Sequence, residues 1–294
     1  MNQPTWHILG FGAIGQILHS GFVEQGQACK VIAKAGQHQG VKHSVTHEGQ
    51  TKEIPIEWAR PDGAEPITHL VVCTKSYDAI EAMQSVSESL NADSQIIILI
   101  NGMLDTQDVE AASKGARLFW GLTTEGGYRT SPLDTIHAGT GLTKIGGGDR
   151  PYWFDFWVKA HERSKWVEDI EPYRWRKLCI NAAINPLTAL NACLNGELMH
   201  EPLTNKTQQL ITELSMLLTA KGYTEIADAF PAACREVIQR TAQNQSSMRQ
   251  DTQNHKKTEV DLILPPLLDL AHKKGVSVPA LTQIYRDFKR QFTL

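Results

Sequence analysis

The chain has 294 residues, 41% of them hydrophobic and 21% charged, an ordinary globular composition at a length that suits two domains better than one. A net charge of −3 offers no electrostatic footprint for nucleic acid or an anionic membrane surface. No apolar run is long enough to span a bilayer, and Met1–Thr5 lacks the basic start of a secretory signal. Five cysteines without a C-x-x-C spacing read as buried thiols of a reducing, cytoplasmic compartment, and the eleven histidines show no metal-ligand spacing, so no metal is expected.

The first element is a short apolar strand at Trp6–Leu9, which runs into Gly10-Phe11-Gly12-Ala13-Ile14-Gly15. A G-x-G-x-x-G that follows a strand, opens a helix (here Gln16 to Gly26) and lies close to the chain start is a dinucleotide signal. Gly10 allows the tight turn, Gly12 lets the backbone approach a pyrophosphate, and Gly15 lets helix and strand pack closely. The pyrophosphate would sit on the helix N-terminus.

The second strand, Cys29–Lys34, ends in Lys34, with no Asp or Glu until Glu48. NAD-specific proteins carry an acidic residue there, so a cation favours the 2′-phosphate of NADP. The alternative is a solvated lysine at a strand end. Strands at His69–Lys75 and Gln95–Met103 follow. Lys75 and Asn101 stand at their carboxyl ends, where such sheets bind ligands, although Asn101-Gly102 is also a common turn.

Strand-like runs at Leu118–Thr124 and Leu142–Ile145 flank a turn-rich stretch with Ser131-Pro132, and Tyr152–His161 reads as a helix. From about Glu171 onward nearly everything is helical. The fold class is therefore α/β: a Rossmann-type dinucleotide-binding domain over 1–167, then an all-α domain over 168–294.

The helical half opens with its most informative stretch. Lys177, Asn181 and Asn185 stand four residues apart in an apolar run. That spacing advances about 40° per step, so the three form one narrow polar stripe. It is either an exposed face or a ligand site, and Pro186, which bends a helix, favours the latter. Asn195-Gly196 reads as the helix stop. A straight helix would put Asn195 about 27 Å from Lys177, so the two share a ligand only if the chain turns back. Thr204–Lys221 is an amphipathic core helix. Further on, Ser246–Asp251 and Lys257–Asp261 are either a solvated face or a functional set. In the second case Ser247 binds a substrate carboxylate and Glu259 reaches the cofactor or the lysine.

Together these motifs resemble the ketopantoate reductase (2-dehydropantoate 2-reductase) family over nearly the whole chain. Asn185-Pro186-Leu-Thr-Ala followed by Asn195-Gly196-Glu197-Leu is the specific part. The resemblance implies a Rossmann domain and a helical domain with the active site in the cleft. It implies NADPH-dependent reduction of 2-dehydropantoate to (R)-pantoate on the route to pantothenate and coenzyme A. It puts the catalytic lysine on Lys177 and substrate-binding groups on Asn101, Asn181, Asn185, Asn195 and Ser247. Cofactor contacts fall on Gly10–Gly15, Lys75, Asn101, a backbone position near Gly127, and Glu259. The expected partner is a small 2-keto acid, and the expected assembly a monomer or homodimer.

Two departures stand out. Glu125 replaces a more usual aromatic or histidine near the expected nicotinamide end, and Leu264-Pro265-Pro266 replaces the usual Asn-Gly after Glu259-Val-Asp261. Glu125 keeps open a reductase of another branched 2-keto acid. A non-catalytic NADP-binding sensor is the remaining alternative.

Overall fold

The computed structural model describes residues 3–32, 40–59 and 65–292. They fall into two units. The first runs to Ile170 apart from Asn101–Met103, and the second comprises Asn101–Met103 and everything from Glu171.

The first unit contains, in order, β1 (Trp6–Leu9), α1 (Ala13–Glu24), β2 (Cys29–Ile32), β3 (Lys42–His47), β4 (Gln50–Pro55), β5 (Glu57–Ala59), β6 (His69–Val72), α2 (Ala79–Ser85), β7 (Gln95–Leu99), α3 (Thr106–Ser113), β8 (Arg117–Thr123), β9 (Gly126–Ser131), β10 (Asp134–Gly139), β11 (Thr143–Gly146), α4 (Phe154–Ala160) and β12 (Ser164–Val167). Eight strands form one sheet in the order β12-β11-β8-β7-β6-β1-β2-β5. All its pairings are parallel except β8 with β11.

Strand residues alternate between two apolar cores, as period-2 side chains must. Trp6, Ile8, Val71, Ile97 and Phe119 join Phe22, Trp153 and Trp157 on one face. Leu9, Leu70, Val72, Ile96 and Ile98 join Met83, Val86 and Val109 on the other. A sheet covered on both faces is the doubly wound arrangement, and β1 lies between β2 and β6, at its topological switch point.

The turn-rich stretch expected after β8 is instead a hairpin. β9 and β10 join β3 and β4 in a second sheet, ordered β4-β3-β10-β9, which packs on α1. Its inward positions hide the pattern from the sequence. His43 and Thr135 are buried there in place of apolar residues, and Gln16 of α1 accepts a hydrogen bond from Thr135 Oγ1 at 2.8 Å.

The second unit is built on α5 (Glu171–Leu190), α6 (Thr204–Ala220), α7 (Thr224–Arg240), α8 (Ser247–Gln253), α9 (Val260–Ile263), α10 (Pro265–Lys274) and α11 (Pro279–Gln291). One core holds it together, with Leu178, Ile184 and Leu187 of α5 against Leu210, Leu214, Phe230, Leu267 and Phe288. Glu213 of α6 accepts the backbone N–H groups of Ala280 and Leu281, each at 2.8 Å, and so caps α11.

The lysine-bearing helix ends earlier than expected. It stops at Leu190, not at Asn195-Gly196. Ala192 takes the left-handed conformation (φ +49°), and the N–H of Cys193 turns back to Thr188 O at 3.1 Å. Gly196 serves a different purpose. A Cβ there would meet the Cβ of Ala242 at 2.7 Å, so glycine allows the chain after the turn to approach α7's end.

Candidate active site

In the first unit the glycine-rich loop has the geometry its spacing implies. Gly10 has φ +106°, and a Cβ on it would meet Thr74 N at 2.6 Å. A Cβ on Gly15 would meet Gly10 O at 2.1 Å, so this position is closed to any other residue. Gly12, by contrast, would meet nothing within 4 Å. It opens α1 without a side-chain cap, so no capping side chain satisfies the first-turn N–H groups.

Beside this loop the buried hydroxyl of Thr74 has no hydrogen-bond partner. Orphan donors at a helix start, open space over Gly12 and an unsatisfied hydroxyl together fit the pyrophosphate of a dinucleotide. Ala13 and Ile14 form the first turn. Phe11 points the other way, edge-on to His19, His43 and Trp58 at centroid distances of 5.6, 5.0 and 5.6 Å. Gly127 adjoins the same turn, where a Cβ would meet Ile17 Cδ1 at 2.7 Å and Ala13 Cβ at 3.5 Å. Lys75 is half-buried at the start of the turn Ser76–Asp78 that follows β6. Lys34 lies outside the described residues.

Glu125 is already engaged. Its Oε2 lies 2.6 Å from His137 Nε2, and His137 stacks on His47 at 4.4 Å. Burial pushes the Glu125 carboxyl up, but the hydrogen bonds from His137 and the backbone of Gly141 hold it below the usual carboxylate range.

In the second unit the lysine and one predicted asparagine meet directly. Lys177 Nζ donates to Asn101 Oδ1 at 3.0 Å, and Asn101 Nδ2 donates to Glu259 Oε2 at 3.4 Å. The carboxamide is thus read in both directions, oxygen to the cation and nitrogen to the carboxylate. Burial lowers the Lys177 pKa to about 8, against an upward pull from Glu259. Asn101 reaches this position because Gly102 (φ +76°) lies against α9, where a Cβ would meet Leu262 O at 2.6 Å.

Asn181 and Asn185 follow on α5 at successive turns, the first half-buried and the second buried. Asn195 is buried too. Its Nδ2 donates to Thr241 Oγ1 at 2.9 Å, while its Oδ1 has no partner. Ser247 is exposed at the first position of α8. Its neighbour Ser246 caps that helix and shares a 2.7 Å hydrogen bond with Thr188 Oγ1. The sequence assigns no role to Thr188 or Thr241, and Ser246 stands in the Ser246–Asp251 set without the helix-capping role it has here. The available signal was a hydroxyl three residues beyond Asn185 within an otherwise apolar helix face.

Comparison with known proteins bears on both units. The family described as "Ketopantoate reductase PanE/ApbA" matches residues 6–150, and its "C terminal" counterpart matches residues 169–291. The chain belongs to the ketopantoate reductase family. It is accordingly an oxidoreductase.

Among similar sequences, the 2-dehydropantoate 2-reductase of Escherichia coli O157:H7 is 29% identical over 289 residues, 97% of this chain and 94% of that protein. Among solved structures, a PanE/ApbA family ketopantoate reductase from Ralstonia eutropha superposes with a TM-score of 0.88 at 18% identity, over 99% of this chain and 100% of the other. D-mandelate dehydrogenase, solved with NADH and anilino(oxo)acetate, superposes with a TM-score of 0.89 at 17% identity, over 98% of both chains. At these identities the superpositions speak for the fold. Among the described residues no helix is long and apolar enough to cross a membrane.

Proposed function

We propose that this protein reduces 2-dehydropantoate to (R)-pantoate with NADPH, ahead of pantothenate and coenzyme A, with Lys177 as the general acid. The observation that carries the reading is the 3.0 Å hydrogen bond from Lys177 to Asn101, made by a lysine whose pKa burial brings to about 8. Bound NADPH supplies the hydride.

Charge that develops on the ketone oxygen needs a facing cation and then a proton. A lysine at the ordinary value near 10.4 holds its proton too firmly for efficient transfer near neutral pH, and the lowered value corrects this. Asn101 Oδ1 aims the ammonium, and Glu259 fixes the rotation of the Asn101 amide. The amides of Asn181, Asn185 and Asn195, with the Ser247 hydroxyl, hold the carboxylate and hydroxyl oxygens of the substrate.

Gly10–Gly15, Lys75, Asn101, the backbone at Gly127, and Glu259 are the proposed cofactor contacts. Preference for NADPH over NADH rests on Lys34 following β2 where an acidic residue would select NAD. The alternative, reduction of another branched 2-keto acid, rests on Glu125. Its engagement with His137 at 2.6 Å turns the carboxylate toward the protein and weakens that case.

The test is NADPH oxidation with 2-dehydropantoate and a panel of 2-keto acids, repeated with NADH. Turnover of 2-dehydropantoate with NADPH well above all other combinations is expected. Preference for another keto acid selects the alternative, and cofactor binding without turnover overturns both in favour of a sensor.

A further inference from the structure

The prolines that interrupt the helix after Glu259 have no part in the chemistry above, yet they bear on its lysine. The backbone at Leu264 is right-handed helical (φ −84°, ψ −46°), so α9 and α10 follow one another without a change of conformation there. In an uninterrupted helix, residue 266 would donate its N–H to the carbonyl of Leu262. Residue 266 is proline and has no N–H to give. The carbonyl of Leu262 instead accepts the N–H of Met103 at 2.9 Å. Next to Met103 stands Gly102, which lies against that same carbonyl, and before it Asn101, which accepts from Lys177.

We propose that Pro266 is a positioning residue: by withholding an N–H from Leu262 O, it reserves that carbonyl for Met103 and so fixes Asn101 against Lys177. The role of Asn101 rests on the reading of Lys177 as the acid, but the docking itself does not. Only position 266 has this effect. The N–H missing at Pro265 would have faced the carbonyl of Asp261, which the Asn101–Met103 segment does not use.

The two prolines therefore make an internal comparison. By helix geometry Pro266→Ala directs a competing donor at Leu262 O, and Pro265→Ala directs one at Asp261 O. In P266A the Met103 amide should exchange with solvent about fivefold faster or more, the scale of one lost hydrogen bond. Loss of a fixed Asn101 acceptor should also move the titration of the Lys177 ammonium, followed by NMR, to lower pH. kcat should fall about fivefold, with the alkaline limb of its pH profile displaced the same way. P265A should match the wild type in all of these.

Unchanged Met103 exchange and an unchanged Lys177 titration in P266A would overturn the proposal. So would equal losses in P265A, which would mark a general effect of the helix start. Should P266A fold poorly, Pro266→Ser presents the same N–H and the same expectations. Exchange and lysine titration need no substrate, so they decide the matter even if no keto acid is turned over.

Discussion

Lys177 and Asn101 stand 76 residues apart in the sequence and 3.0 Å apart in the fold. The pairing gives the lysine an aimed hydrogen bond, while burial lowers its pKa to about 8 against the upward pull of Glu259. A group that must carry its proton to react loses activity as pH rises through its pKa. The expected profile of kcat is therefore flat below about 7 and falls through about 8. Lys177→Ala should lower kcat by roughly 10²- to 10⁴-fold and abolish that limb. Asn101→Ala should keep the limb but shift it to lower pH, because the ammonium loses its acceptor. A wild-type limb near 10 would contradict the assignment.

The glycine-rich loop separates folding from binding at two positions. Gly15 is closed, since a Cβ there lies 2.1 Å from Gly10 O, whereas Gly12 meets nothing within 4 Å and has an ordinary φ of −77°. Gly12→Ala should thus cost no more than about 1 kcal/mol of stability, the scale of a helix-cap change. It should nevertheless raise the Kd for NADPH at least tenfold by holding the pyrophosphate off the backbone. Titration calorimetry with a urea melt of the same variant reads both. Unaltered affinity would argue against a pyrophosphate at this loop.

Much of this site could be read from spacing, and the unread part has a physical cause. Gly10–Gly15 and the Lys177, Asn181, Asn185 stripe are local patterns, fixed by the period of one turn or one helix. The Lys177–Asn101 pair is tertiary, and nothing within ten residues of either announces it. The end of α5 was misread because Ala192, with no glycine's signature, adopts the left-handed conformation. The second sheet is hard to see in the sequence because polar His43 and Thr135 share its inward positions with Val45 and Ile54 and break the apolar alternation.

Buried histidines predict acid sensitivity. His19 and His43 share a 2.9 Å hydrogen bond, and both side chains are buried. Burial lowers the pKa of His19 to about 4. Burial and the neighbouring His19 lower that of His43 to about 3. Burial likewise takes His69 and His161 to about 4. Unfolded histidine titrates near 6.5, so the unfolded state binds more protons throughout the interval between. Stability is fully present above about 6.5 and is lost as pH falls from there toward about 4, by up to roughly 1.4 kcal/mol per pH unit for each histidine. Urea melts at pH 7.5 and 5.5 should differ accordingly, and His19→Leu with His43→Leu should flatten the slope. An equal slope in that double variant would assign the sensitivity to other groups.

Glu213 offers a test of the helical unit that leaves the catalytic groups alone. Its carboxylate takes both first-turn N–H groups of α11, at Ala280 and Leu281, while the residue itself is buried. A carboxylate so placed satisfies two orphan donors and complements the positive end of the helix. Glu213→Ala strands both donors and should cost about 1–3 kcal/mol in a urea melt. Glu213→Gln keeps one acceptor and swaps the charge for an amide, and should fall between Ala and wild type. Since α11 packs on α5 as well as α6, the loss should appear as lower global stability with kcat retained in the folded fraction. A selective loss of kcat at unchanged stability would mean that Glu213 acts on the α5 residues through α11 and is more than a cap.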